Sequence, residues 1–469
     1  MTPRFRLRLL SLSLILIPIT TVAAQPSSSS DLDRQFQAAV AQYDSGHLQE
    51  AARQLESLLP RVPENFEVHE LLGMVYAAES NETKANEHLA KAVRLKPNSA
   101  EARTNLATNL VHLHKMAPAE IEFKRAAQLD PANYDTNHNL GEFYVLNGNV
   151  PQATPFLEKA HQLNPAAYDN SYDLALAYTE TGRLNDARNL VEVLLKQKET
   201  AELHNLLGQI DEKDGQFVPA EKEYETAAHM DPSESNLFDW GSELLVHRTL
   251  DPAVDVFQHA TERYPKSPRL AIGLGMALYS RGNYDDAVKA LLTAADLNPT
   301  DPRCYYFLSK AYDSSPGQAE EVIQRFHRFM ELEPQSGRAH YYYAMGLWKG
   351  RRAEDANFDV AQIESLLKKA IELDPGLAEA HLQLGNLYSD QHKYSDAIQR
   401  YEKALQENSD LADAHYRLGQ AYVHTGQKER AQEQLEVYQK LRTQHMAELD
   451  KQRAEIRQFV YSEKETQKQ

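Results

Sequence analysis

The sequence predicts an all-α fold, a single elongated solenoid of stacked helical hairpins. Two observations carry that reading. A small residue, usually behind a large apolar one, recurs at Ala39, Gly73, Ala107, Gly141, Ala175, Gly208, Gly241, Gly275, Ser309, Ala344, Gly385 and Gly419. The step is 34 residues or within one of it, except for 41 between Ala344 and Gly385. Alanine then follows twelve residues on, as at Ala51, Ala85, Ala119, Ala153, Ala187 and Ala397. Self-similarity at this period marks supersecondary units that bury their apolar faces against one another. A chain of 469 residues would otherwise suggest about three globular domains.

The first 24 residues differ in kind. Arg4, Arg6 and Arg8 precede an apolar run from Leu9 to Ile19, and Val22-Ala23-Ala24 closes it with small residues. A basic head, an apolar run and a small-residue end read as a secretory signal cut after Ala24. The 16 residues from Leu9 to Ala24, with Pro18 among them, fall short of the roughly 20 that a spanning helix needs. The expectation is therefore an exported chain, periplasmic or secreted, with no stable membrane insertion once the signal is cut. Residues 25–31 read as a polar linker.

From residue 32 to 435 each period divides into two amphipathic helices. In the second period Leu71, Leu72, Val75 and Tyr76 form one apolar stripe at helical spacing. A polar turn at Ser80-Asn81-Glu82 separates them from Ala85, Leu89, Ala92 and Val93, and Pro97 closes the unit. Near Gly350–Asp359 the tenth unit holds an insertion of about seven residues. Beyond Leu435 a sparse apolar stripe continues among charged residues, through Tyr438, Leu441, Leu449 and Ile456. Residues 436–469 thus read as a capping helix and tail, the polar-sided end that a stack of repeats requires.

The pattern resembles the tetratricopeptide repeat. Leu140-Gly141, Tyr144, Gly148, Ala153, Leu157, Ala160 and Pro165 match it without a gap, and Leu274-Gly275, Gly282, Ala287, Leu291, Ala294 and Pro299 match it again. About twelve repeats can be counted. The resemblance implies a right-handed superhelix whose first helices line a concave groove, and a function in holding protein or peptide.

Composition narrows the partners. The formal charge is −18, near −21 once the three leader arginines are gone. Such a surface repels phosphate backbones and anionic membranes, so nucleic acid is not expected as a partner. A single cysteine, Cys304, rules out an internal disulfide. His-Glu-x-x-His, paired-cysteine and glycine-rich phosphate motifs are all missing from the sequence. The expectation is a non-enzymatic chain without a cofactor or a metal.

One pattern points to a ligand. Six residues before each small landmark, in the first turn of the first helix, stand Asp33, Glu67, Glu101, Asp135, Asp169, Glu202 and Ser235, then Arg269, Arg303 and Arg338, then Glu379 and Asp413. A helix N-terminus favours an anion by about 0.3–1 kcal/mol, so the acids need no further reason, whereas three arginines do. Three and more residues further along the same helices come Tyr306 and Tyr341, Lys310, then Tyr279 and Trp348. Arginine and lysine beside aromatic rings suit an acidic peptide or a carboxylate. By the resemblance this set would face the groove of repeats eight to ten. The alternative is local pairing of the arginines with Asp296, Asp301 or Glu333. Arg351, Arg352 and Phe358 of the insertion form a second candidate contact.

Two groove chemistries of the family do not carry over. A carboxylate clamp would need Lys and Asn where Glu70 and Met74, or Thr104 and Thr108, stand. An asparagine ladder like that of the O-GlcNAc transferase solenoid is met only at Asn105 and Asn139. Two other function classes remain open beside the scaffold. One is an accessory subunit that recruits substrates to a separate envelope enzyme, and the other is a direct binder of sugars through the tyrosines and Trp348.

Overall fold

The computed structural model describes residues 29–314, 317–350 and 359–444. The leader, the insertion at 351–358 and the tail beyond 444 lie outside the described residues. Within them the chain holds 24 helices and no strand. Two compact units divide at Gly215 and Gln216.

In the first unit α1 (Ser29–Asp44) pairs with α2 (Leu48–Leu58), α3 (Phe66–Ala78) with α4 (Glu82–Leu95), and α5 (Ala100–His112) with α6 (Met116–Leu129). Then α7 (Tyr134–Leu146) pairs with α8 (Val150–Leu163) and α9 (Tyr168–Glu180) with α10 (Leu184–Gln197), and α11 (Ala201–Lys213) closes the unit. The second unit opens with α12 (Phe217–Met230). Its pairs are α13 (Glu234–Val246) with α14 (Leu250–Arg263), α15 (Pro268–Arg281) with α16 (Tyr284–Leu297), and α17 (Pro302–Ser314) with α18 (Ala319–Leu332). They continue as α19 (Gly337–Lys349) with α20 (Val360–Leu373), α21 (Ala378–Asp390) with α22 (Tyr394–Glu407), and α23 (Ala412–His424) with α24 at 428–444, where Leu435 meets Gly419 and Gln434 meets His415.

The first helices begin where a short polar side chain caps them. Asn65, Ser99, Asn133, Ser233, Ser267 and Ser336 each accept a hydrogen bond from the backbone N–H three residues on. Such caps are worth about 1 kcal/mol apiece. The turn inside a hairpin requires one residue of positive φ. Glycine supplies it at Gly148 and Gly282, where no side chain is strained, and Ser80, His114 and His392 adopt it elsewhere.

Helices approach closely where a small residue meets a large one sixteen positions later. Leu89 packs on Gly73, Leu157 on Gly141, Leu291 on Gly275 and Tyr401 on Gly385, and all four large side chains are fully buried. A methyl added at any of these glycines would stand 2.6 Å or less from its partner. Phe257 is held on two sides, by Gly241 of α13 and Gly273 of α15. Successive hairpins are tied by a tyrosine hydroxyl donating to a glutamate of the preceding hairpin. Tyr144 donates to Glu120 at 3.1 Å, Tyr178 to Glu158 at 2.8 Å, Tyr388 to Glu364 at 3.1 Å and Tyr422 to Glu402 at 2.6 Å. No described helix is long and apolar enough to cross a membrane.

Gly273→Ala tests this packing, because two effects oppose each other. Helix propensity alone would stabilise by about 1 kcal/mol. A Cβ at 2.4 Å from Cε1 of Phe257, a ring that cannot retreat past Gly241, should instead cost about 2–3 kcal/mol. Urea unfolding is expected to show a net loss, partly recovered by adding Phe257→Leu. A neutral or stabilised Gly273→Ala chain would sink the close-packing account.

Candidate interaction face of the second unit

The three arginines occupy the first turns of α15, α17 and α19, and each meets an acid. The guanidinium of Arg269 reaches back to α13, 3.2 Å from the Glu234 carboxylate and 4.5 Å from the centre of the Phe238 ring. Its side chain is only 25% exposed. This arginine is a junction residue between neighbouring first helices.

Arg303 folds onto its own helix cap. Its Nε and Nη2 donate to the Asp301 carboxylate at 2.9 and 2.5 Å, and that carboxylate also accepts the Arg303 backbone N–H at 3.0 Å. These hydrogen bonds hold the Asp301 carboxyl below its ordinary range. The capping acid therefore offsets the unfavourable placement of a cation in the first turn. The outer part of Arg303 stays open, with 69% of its side chain exposed.

Arg338 is exposed and lies beside the Tyr342 hydroxyl, with the carboxylates of Glu379 and Asp374 near it. Of the acids expected to neutralise the arginines, Asp301 does so. Asp296 instead binds Arg325 and Arg328 of α18, each at 2.9 Å. Glu234 was not anticipated, although its signal was available: it precedes Arg269 by 35 residues, one period and one more.

The aromatic set divides in a similar way. Tyr306 is 42% exposed on α17, edge-on to Phe307, with the Lys310 ammonium 5.8 Å from its centre. Tyr305 beside it is fully buried against Phe329, so the Tyr305-Tyr306-Phe307 run places its middle residue outward. In Tyr341-Tyr342-Tyr343 the middle residue is the buried one. Tyr342 packs on Phe326 and lies close enough to Tyr306 and Arg338 to feel both. Tyr341 packs against the core, and burial pushes its hydroxyl above the ordinary range. Trp348 is half-buried on the core below α20, and Tyr279 leans on Tyr284 at 5.5 Å. The residues brought together on an accessible face are thus Arg303, Tyr306, Lys310 and Arg338. Tyr342, missed in the sequence, joins them from below.

Cys304, one residue from Arg303, is buried, and burial pushes its thiol up to about 12. Among the described residues no three His, Cys, Asp or Glu side chains are placed to hold a metal ion. The exposed face can accept anionic groups and flat apolar surface.

Models of the tetratricopeptide repeat match residues 36–100, 147–210, 238–302, 366–399 and 412–445, and a further TPR repeat model matches 385–426. The chain carries tetratricopeptide repeats. It is 24% identical over 186 residues to the TPR repeat-containing protein YpiA of Bacillus subtilis, covering 40% of this chain and 42% of that one. It is 26% identical over 100 residues to the peroxisomal targeting signal receptor of Saccharomyces cerevisiae, covering 20% of this chain and 16% of the receptor. The chain spans less than half the length of these relatives. Among solved structures, yeast Tom70 aligns over 86% of this chain and 97% of its own, with 15% identity and a TM-score of 0.36.

The division among the arginines can be measured. Arg269→Ala is expected to lower stability by about 1 kcal/mol, since it removes a half-buried ion pair and a cation–ring contact. Arg338→Ala, an exposed change, should stay within about 0.5 kcal/mol of the parent. Thermal melts that rank the two the other way would overturn this assignment.

Proposed function

We propose that this chain is a non-enzymatic interaction scaffold of about twelve tetratricopeptide repeats, exported beyond a bacterial inner membrane. In this reading its second unit holds an acidic peptide or protein segment on the first helices of repeats eight to ten. The observation that carries the reading is the exposed set on α17 and α19: Tyr306 with Lys310 over its ring, flanked by Arg303 and Arg338. Cations in the first turn of a helix run against its dipole, and here two of them stay accessible beside an exposed ring. Each carboxylate contact to such an exposed cation contributes about 0.2–1 kcal/mol, and several act together. The basic head, apolar run and small-residue end of residues 1–24 support export.

The test is pull-down and crosslinking of the mature form from its native envelope, comparing the parent chain with Lys310→Glu/Arg338→Glu. Capture of the partner is expected to fall by roughly tenfold to a hundredfold in the charge-reversed chain. Its melting temperature should stay close to the parent's, because both side chains are exposed. A folded double variant that captures the same partners to the same extent would remove the basis for this reading.

A further inference from the structure

The first unit carries a face of opposite character. Glu67 and Glu70 lie on α3, Glu101 on α5 and Asp135 on α7, and α3 packs on α5 as α5 packs on α7. Glu70 is only 7% exposed, and its Oε1 has no hydrogen-bond partner among the described residues. The charges that bear on Glu70 are Glu101 from α5, Lys96 at the end of α4, and Glu67 on its own helix. Those that bear on Glu101 are Asp135 from α7 and again Lys96. Asp135 feels His138 of its own helix. The strip runs on to α9, since the Tyr134 hydroxyl senses Asp135, Asp169, Asp173 and Glu142 together.

Lys96 is already engaged with Glu67, at 3.0 Å, and sits over the Phe66 ring. A buried carboxylate oxygen facing other carboxylates is expensive unless a donor reaches it. The acids are strung along successive helices and do not converge, and no described trio suits a metal ion. Packed helices lie about 8–10 Å apart, and an extended chain advances about 3.3 Å per residue. In a polyproline-II segment, which turns once in three residues with a rise of about 3.1 Å per residue, basic residues at every third position share one face and keep step with this strip.

We propose that the face of α3, α5 and α7 bearing Glu67, Glu70, Glu101 and Asp135 is a docking surface for a polypeptide segment rich in lysine or arginine. The surface lies in the first unit and does not rest on the reading given for the second. Burial first, and the neighbouring acids second, raise Glu70 to about 8 and Glu101 to about 7, and burial raises Asp135 as well. A bound ammonium or guanidinium group would draw these acids back to their ionised forms, so docking releases protons.

The sign follows for the free protein. Glu70 and Glu101 keep their protons longer folded than unfolded, so their contribution is whole below about 4.5, the ordinary glutamate value. That contribution is lost as pH rises through about 7 for Glu101 and about 8 for Glu70. Glu70→Gln/Glu101→Gln mimics the protonated pair and should flatten this loss.

The probe is a fluorescein-labelled peptide with lysine at every third position, set against the same peptide with glutamate there. At low salt the full chain carrying Lys310→Glu/Arg338→Glu, which removes the cationic face of the second unit, is expected to bind the lysine peptide and not its glutamate counterpart. Binding should tighten as pH rises through about 7 and about 8, and calorimetry in two buffers should detect proton release. Glu70→Gln/Glu101→Gln should weaken binding on the order of tenfold and abolish the pH dependence. Lys96→Met, which removes the resident cation, should strengthen it. If the double variant fails to fold, Glu101→Gln alone together with Lys96→Met decides the matter. The proposal is overturned if the lysine peptide does not bind, or if folded carboxylate variants bind it unchanged. It is equally overturned if spermidine or magnesium competes as tightly as the peptide.

Discussion

A residue with almost no side chain, pressed against a large one sixteen positions later, is the contact on which the rest of this fold depends. It sets how near the two helices of a hairpin come, and so which side chains reach the next hairpin. Leu89 on Gly73, Leu157 on Gly141 and Tyr401 on Gly385 are versions of one joint with different fillers. The tyrosine-to-glutamate bonds between hairpins work only because that spacing is held. First helices then stand in register, and a given sequence position returns to equivalent places along a unit.

That register turns a one-letter pattern into an electrostatic surface. The site six residues before each landmark is acidic on α3, α5, α7 and α9 and basic on α15, α17 and α19. In the first unit burial, and after it the neighbouring acids, holds Glu70 and Glu101 well above the ordinary carboxylate range. In the second unit the arginines meet acids that temper them, Glu234 for Arg269 and Asp301 for Arg303. Both arrangements follow the same geometric rule, with opposite signs and different degrees of neutralisation.

The hairpins were legible because period and helical spacing reinforce each other over many units, so errors at one position do not propagate. The site was legible only in part. Position along a helix says which way a side chain starts and not where it ends. Arg269 and Arg303 share a register, yet one lies across to α13 and the other curls onto its own cap. Tyr305-Tyr306-Phe307 and Tyr341-Tyr342-Tyr343 look alike as strings, but the exposed ring is the middle one in the first and the buried ring is the middle one in the second. Such differences are decided by the neighbouring second helix, where Phe326 and Phe329 claim particular rings. The acids of α3 and α5 carried no such signal: Glu67 and Glu101 stand in first turns, where an acid is ordinary for any helix, and Glu70, further along α3, stands out only by its burial.

Among the described residues of each unit the hairpins grip mainly their sequence neighbours, through an apolar joint crossed by tyrosine bonds and by ion pairs such as Arg269 with Glu234 and Arg325 with Asp296. Stretching such a stack is resisted chiefly by contacts between adjacent hairpins. Under tension it would yield one hairpin at a time, each paying out roughly 110 Å of slack while the others hold. The same construction that makes a long surface from a short motif also makes it a graded spring.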